Sequence, residues 1–568
     1  MNRRKFIKKI PLVAGVPFAL NHVPVKILAQ QSPLTRLARL ANNDRVLIIL
    51  QMHGGNDGLN MLVPVDNYDT YYNRRANIAI PADNSVRKMI ELDSTLDLDA
   101  QVGLHPDMQD LKDMYDRGQV SVIQGVSYKN QSGSHFRGRD IVHMGGGSED
   151  YFSSGWIGRY LQKVYEPLQY PDDFPNEEMP DPLAIELGND VSLVFHQEGN
   201  IPTSISLANN PEGFANLINN LEGFEDEGID PRGRPPEFLN ESPYGKELNW
   251  ILDLEDKSED YAERLVEVFN NAPASSVQYP ERYPFTASNG GRNPLSSQLQ
   301  LIARLLEGGV QTKVFLVRIG GFDTHANQVE AFDPTMGNHA ALMYHISSAM
   351  SAFQSDLSAR GIENRALTVT TSEFGRRISS NGSFGTDHGR GAPMLVFGSG
   401  ATGGVIGKVP DLSPEKGNVD MQFDYRQVYS SILLDWMQLD QNTIADDIFF
   451  SDFINGQSED GTTFEKLDIA NSVITSNEPF FSERYKLEDP YPNPAVDKAK
   501  IPFFLNRTLK VRLTLLDNNG NEVKLIADGV YNSGRSEVEL GVKDLTSGVY
   551  HVNIKTELFE GSKRLIVG

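Results

Sequence analysis

The sequence predicts an α/β domain, a sheet with helices on both faces and a large insertion, followed by a small antiparallel β-sandwich. Three observations carry this prediction. Continuous apolar runs end in loops rich in Gly, Asp and His, as buried parallel strands do. Stretches with helical spacing lie between those runs. Beyond a proline-rich break at residues 490–495 the pattern turns to short alternating runs. At 568 residues the chain is long enough for a large core plus a smaller module.

The first strand is expected at residues 45–52, running into His53-Gly54-Gly55-Asn56-Asp57-Gly58. A helix over 108–116 and a strand over 120–125 follow. Residues 296–307 have the spacing of an amphipathic helix closed by Gly308 and Gly309. The strand at 313–319 ends in Gly320-Gly321-Phe322-Asp323-Thr324-His325. A long helix over 339–357 leads to a strand at 366–371, which ends in Ser372-Glu373-Phe374-Gly375. One more strand, 394–397, comes just after Asp387-His388-Gly389. This α/β domain spans 40–480. Within it, residues 150–290 are acidic, Pro-rich and irregular, and read as an insertion or cap over the sheet. There is no fixed-period repeat, no Walker loop and no dinucleotide fingerprint; Gly145-Gly146-Gly147 alone is too short to count.

Charge and composition exclude several functions. Lys and Arg number 52 against 76 Asp and Glu, a net charge of −24. Such an acidic chain lacks the basic face of a general nucleic-acid binder and does not adhere to anionic membranes through charge. There is no cysteine, so disulfides, thiolate metal sites, iron–sulfur clusters and a cysteine nucleophile are excluded. Any metal must be held by His, Asp, Glu or a hydroxyl.

Four expected strand ends carry such groups: Asp57, Asp323 with His325, Glu373, and Asp387 with His388. Parallel α/β sheets bind ligands outside the carboxyl ends of their strands. A lone Asp there commonly caps a helix or forms a turn. Four ends in one sheet point to a site for one or two divalent ions, with Zn²⁺, Mg²⁺, Mn²⁺ and Ca²⁺ all left open.

The chain ends carry addresses. Arg3-Arg4-Lys5-Phe6-Ile7-Lys8-Lys9 before a short apolar run has the form of an export signal over residues 1–30 and resembles a twin-arginine signal. No later segment has 18 uninterrupted apolar residues, so the mature chain is expected to have no transmembrane segment. At the other end, Tyr491-Pro-Asn-Pro-Ala495, Leu515-Leu-Asp-Asn-Asn-Gly520, Leu545-Thr-Ser-Gly-Val-Tyr550 and Lys563-Arg-Leu-Ile-Val567 resemble, over 490–568, the type IX secretion sorting domain of Bacteroidota. The resemblance implies both export machineries as partners, passage through the periplasm, and arrival at the cell surface or outside.

In between, Gly-Gly-Asn-Asp-Gly-Leu-Asn, Ser-His-Phe-Arg, Gly-Phe-Asp-Thr-His-x-Asn-Gln, Ser-Glu-Phe-Gly-Arg and Gly-Thr-Asp-His-Gly occur in this order. Over roughly 40–450 they resemble an exported bacterial family, domain of unknown function 1501, itself similar to the alkaline phosphatase and sulfatase superfamily. By that resemblance the metal ligands are Asp57, Asp323, His325, Glu373 and His388, with Asp387 either a further ligand or the residue that orients His388. Ser134, or alternatively Ser132, stands near the nucleophile. Arg137 would hold the non-reacting oxygens of a phosphate or sulfate ester, with a solvated surface arginine as its other reading. His135 reads equally as ligand, proton shuttle or cap partner. Arg376 and Arg377 are candidates for anion contact or surface ion pairs, and His53 lines the site or packs beside the first strand. Phe374 stands where the superfamily has a ligating His, which leaves two functions open. One is an exported metal-dependent hydrolase of phosphate or sulfate esters with a serine nucleophile, acting on a small anionic ester or a surface glycan. The other is a non-catalytic surface protein, a binding or scaffold protein with a degenerate metal site.

Overall fold

The computed structural model describes residues 19–20, 23–24 and 44–568, apart from 84–85, 189–190, 208–259, 286–290, 459–460, 472–484, 489, 506–508, 518–521, 533 and 557–559. The expected export signal therefore lies outside the described residues, save two short paired segments, Ala19–Leu20 and Val23–Pro24. The chain divides into two units, Met1–Val473 and Ile474–Gly568.

The first unit is built on a nine-stranded sheet. In chain order its strands are β1 (Val46–Met52), β2 (Val120–Ser127), β3 (Ala184–Leu187), β4 (Ser204–Leu207), β5 (Val314–Ile319), β6 (Ala366–Thr371), β7 (Ala392–Phe397), β8 (Gly404–Ile406) and β9 (Phe423–Asp424). Their spatial order is β4-β3-β5-β1-β6-β7-β2-β8, with β9 also paired to β2. Every pairing is parallel except the two made by β7, which runs against β6 and β2. The central strands are apolar throughout because both faces are covered. Leu47, Ile49, Leu316, Leu367 and Val369 share one cluster with Trp156, Tyr160, Tyr429 and Ile432. These last come from helices α3 (Trp156–Tyr165) and α6 (Tyr425–Asp435). The alternate side chains Ile48, Leu50, Phe315 and Val317 are equally buried. On that side α4 (Pro294–Gly308) packs on β5 and on α5 (Asn338–Ala359), which in turn packs on α1 (Gln109–Asp116).

Elements expected from periodicity thus appear within a few residues of their expected bounds. The stretch 150–290, expected as an insertion or cap, lies partly in the sheet itself in its described part. It supplies α3 and the parallel strands β3 and β4, with β3 hydrogen-bonded directly to β5. Its proline-rich segments hid two strands of only four residues each, too short to show a period.

The topology gathers the strand-end loops on one edge. The loops after β1, β5 and β6 hold Asp57, Asp323 and Glu373. The loop after β2 leads to helix α2 (His135–Met144). Because β7 is antiparallel, its start lies on this same edge, and His388 precedes it. A hairpin of Arg376–Ser380 with Thr386–His388 pairs Arg376 to His388.

The second unit is the expected sandwich. Tyr485–Leu487, Lys498–Leu505 and Gly534–Gly541 form a three-stranded antiparallel sheet. Glu522–Tyr531, Leu509–Leu516, Gly548–Lys555 and Glu560–Val567 form a four-stranded one. Alternate residues, among them Ile501, Phe503, Val511, Leu513, Val552 and Ile554, close one apolar cluster. The turn expected at 517–521 lies mostly outside the described residues.

Helix α3 docks closely enough to require glycine at Gly158, where a Cβ would stand 2.1 Å from the His196 carbonyl oxygen. The Gly158→Ala protein is expected to lose roughly 1–3 kcal/mol of stability. Urea denaturation followed by tryptophan fluorescence measures this, since Trp156 lies on the same helix.

Candidate metal centre

Three imidazoles and a carboxylate converge at the carboxyl edge. His388 Nε2 lies 3.2 Å from Asp323 Oδ1 and 2.9 Å from His325 Nε2. His325 Nε2 is 3.3 Å from Asp323 Oδ1, and His135 Nε2 is 3.4 Å from Asp323 Oδ2. Ligand atoms of His135, Asp323 and His388 all fall within 4.8 Å of one another.

The opposite ring nitrogens explain the orientation. His388 Nδ1 stands 2.8 Å from the carbonyl oxygen of Gly133, which can only accept, so Nδ1 carries the proton. His135 Nδ1 is 2.8 Å from Glu373 Oε1, and His325 Nδ1 is 3.4 Å from Asp387 Oδ1. With each Nδ1 turned to an acceptor, the Nε2 atoms face Asp323 and, for His325 and His388, one another. His135, Asp323 and His388 are thereby a candidate cation site. Consistent with this, His135 Nε2 is buried and has no hydrogen-bond partner. Metal–ligand bonds of about 2.0–2.1 Å give tetrahedral edges of about 3.3–3.4 Å, close to the 3.2 and 3.4 Å from Asp323 to His388 and His135.

The ligands are anchored from behind. Arg376 is 2% exposed. It donates to Asp323 Oδ1 at 2.9 Å, to the carbonyls of Gly55, Phe322 and Thr386 at 2.8, 2.9 and 3.0 Å, and to that of Gly54. It is therefore neither an anion contact nor a surface ion pair but an interior tie between three loops. Partial burial opposes ionisation of Asp323, but the Arg376 hydrogen bond and charge hold its carboxyl down at about 2. Glu373 is buried, accepts from the Gly54 backbone N–H at 2.8 Å, and leaves Oε2 without a partner. Its oxygen Oε1 is also 3.6 Å from His53 Nδ1. Burial pushes the His53 imidazole below its ordinary range. Phe374 is 1% exposed, with its ring 4.8 Å from that of His135 and 4.5 Å from that of His388. The residue in the place of a ligating His thus serves as an apolar wall for two other imidazoles.

Asp57 does not join the cluster. Its carboxylate is buried against Arg75, whose Nη1 lies 2.9 and 2.8 Å from its two oxygens, and it accepts from Gln328 Nε2 at 2.6 Å. Desolvation raises the carboxyl, but the Arg75 charge and these hydrogen bonds hold it below the usual range. Asp387 is exposed and reaches only His325 and Asn381, whose amide keeps its carboxyl low. Ser134 is the N-cap of α2; its Oγ accepts from the Arg137 N–H at 3.5 Å. It lies between Gly133, bonded to His388, and His135. Ser132 Oγ accepts from the Ser134 N–H at 3.3 Å. Arg137 donates to the carbonyls of Ser148 and Asp150 and lies over the Tyr151 ring. Arg377 is exposed and offers its carbonyl to Arg75. Sequence reading did not find Arg75, and it left His135 open between ligand, proton shuttle and cap partner. Arg75 carries no local signal because its partner is eighteen residues away, whereas Gln328 stood at the end of the Gly-Phe-Asp-Thr-His-x-Asn-Gln motif.

Residues 252–447 match the family model described as Protein of unknown function (DUF1501), and residues 490–568 match the secretion system C-terminal sorting domain. Both resemblances are detected. The first match contains Asp323, His325, Glu373 and His388 but not Asp57 or Ser134. The sorting domain marks the chain for the cell surface or exterior. No curated protein matches the sequence. Among solved structures, the chain is similar to the PsFucS1 sulfatase from Pseudoalteromonas sp., at 9% identity over 91% of this chain and 88% of that one, with a TM-score of 0.29. It is also similar to the phosphonate monoester hydrolase SpPMH from Silicibacter pomeroyi, at 9% identity over 92% and 88%, with a TM-score of 0.26. Dimeric latent PorU from Porphyromonas gingivalis matches 14% of this chain at 15% identity and a TM-score of 0.12, and the chain spans 9% of its length. Among the described residues no helix is long and apolar enough to cross a membrane.

Beside the centre, two buried imidazoles are kept neutral by desolvation, His339 down at about 4 and His143 at about 3. In the unfolded chain they titrate near ~6.5. Between those values the unfolded state binds more protons, so stability is full above about 6.5 and is lost as pH falls toward about 4. The urea midpoint is expected to drop between pH 7 and pH 5, and the drop is expected to shrink in His339→Gln.

Proposed function

We propose that the chain is an exported hydrolase of phosphate or sulfate esters that uses one divalent metal ion and Ser134 as nucleophile. The observation that carries this reading is the convergence of His135, His325 and His388 on Asp323, with each Nδ1 turned to its own acceptor. His135, Asp323 and His388 would hold the ion, with His325 beside them. Bound there, a divalent ion neutralises ester oxygens and lowers the pKa of a neighbouring hydroxyl. Ser134 sits at the N-terminus of α2, where backbone N–H groups favour an anionic group. Its Oγ would form a bond to phosphorus or sulfur as the bond to the leaving alcohol oxygen breaks, and water would then release the acid and regenerate the serine. Glu373 holds His135 in the tautomer that frees Nε2, and Phe374 keeps water from the backs of two imidazoles.

One ion per chain is favoured over two because Arg75 already neutralises Asp57. Export through the twin-arginine route and the periplasm belongs to the same proposal, with the sorting domain carrying the last step.

The second reading, a surface binding or scaffold protein with a structural metal, is favoured by the same sealed Asp57 and by Phe374 at a ligand position. Elemental analysis is expected to give one equivalent of metal in the wild type and none in Asp323→Ala/His388→Ala; a metal-free wild type after incubation with Zn²⁺, Mg²⁺, Mn²⁺ and Ca²⁺ removes the hydrolase reading. Ser134→Ala separates the two functions. With metal content unchanged, turnover of aryl phosphate or aryl sulfate is expected to fall by at least about a thousandfold. Equal rates in wild type and variant favour the scaffold.

A further inference from the structure

A cleft of about 550 Å³ opens beside helix α2, lined by Tyr151, Phe152, Ser153, Ser154, Glu198, Gly199 and Phe450. Two of its aromatic rings face solvent: Tyr151 is 80% exposed and Phe450 50%. Both rings stand at the lip of the same concavity. Phe450 has a φ of 56°, a left-handed conformation costly for a bulky side chain. It follows a π-helical turn, Ile444–Ile448, another irregularity that concentrates at functional sites.

The cleft is rigidly built. Arg159, 2% exposed, donates to the carbonyls of Met144, Ser154 and Ile448 and so ties the 151–154 wall to the segment that leads into Phe450. Its guanidinium also lies 5.5 Å from the Phe152 ring centre and 5.0 Å from that of Phe450, and those two rings meet edge to face at 5.2 Å. Tyr151 is held from one side by Arg137, 3.8 Å above its ring. Arg137 lies two residues beyond His135, so the cleft and the metal centre share one helix.

We propose that this cleft is a carbohydrate subsite, taking neutral pyranose rings of a glycan. A pyranose presents an apolar C–H face, which suits the exposed rings of Tyr151 and Phe450, and a rim of hydroxyl groups. Exposed Glu198 accepts from such hydroxyls, and Ser153 both donates and accepts. A carboxylate and no free cation among the lining residues favour a neutral ring over a sulfated or phosphorylated one. The ester group would sit at the metal centre, and in that respect alone the inference rests on the hydrolase reading. It names the body of the substrate as a sugar.

Affinity electrophoresis of the folded chain through gels containing xylan, galactomannan, laminarin or dextran tests it. The wild type is expected to be retarded by at least one of these polymers. Tyr151→Ala and Phe450→Gly are each expected to bind that polymer about tenfold more weakly. Glycine at 450 suits the left-handed backbone, so loss of binding there does not reflect misfolding. Asp323→Ala is expected to bind as the wild type does, so a failure of the metal reading leaves the subsite standing. Absence of retardation by all four polymers, or retardation unchanged in both aromatic variants, overturns the proposal.

Discussion

The centre depends on one constraint, the turning of three imidazoles by their Nδ1 atoms. The acceptors come from separate segments: Gly133 from the loop after β2, Glu373 from the loop after β6, and Asp387 from the hairpin beside His388. Each fixes a ring so that its other nitrogen meets Asp323. Had any Nδ1 been left to solvent, the ring could flip and the lone pair would be lost from the cluster. The sheet supplies the positions, but these outer contacts supply the direction, and direction is what distinguishes a ligand set from histidines that are merely close.

Buried arginines organise the rest of this acidic chain. Arg376 joins the loops after β1 and β5 to the hairpin by donating to four carbonyls and Asp323. Arg75 closes the pocket around Asp57, and Arg159 ties the segments behind the aromatic cleft. A guanidinium suits this work because it carries five donors in a rigid plane and stays ionised when buried. The same interactions limit the chemistry. A carboxylate neutralised by Arg75 has no need of a metal, and most of the donors of Arg376 are taken by carbonyls and Asp323.

Much of the architecture was legible in the sequence. Strands such as β1 and β6 are apolar along their whole length because both faces are covered, and their ends are marked by glycine and acidic residues. The sandwich was legible for the opposite reason, since each of its strands has one wet face and so alternates. Strands β3 and β4 were not legible, because four residues among prolines carry no measurable period. The reversed direction of β7 was hidden as well: an apolar run reads the same whichever way it points.

By itself the sequence determined that strand-end loops would carry Asp323, His325, Glu373 and His388, that no thiolate could assist them, and that a sorting sandwich would follow. Those properties reside in local composition and spacing. Tertiary structure alone decided that His135 points at Asp323, that Asp57 is paired with Arg75, that Arg376 lies inside, and that Phe374 backs two rings. Each of these depends on which groups meet across the fold, where distances of a few ångströms determine whether a carboxylate finds a cation or an imidazole shows its lone pair.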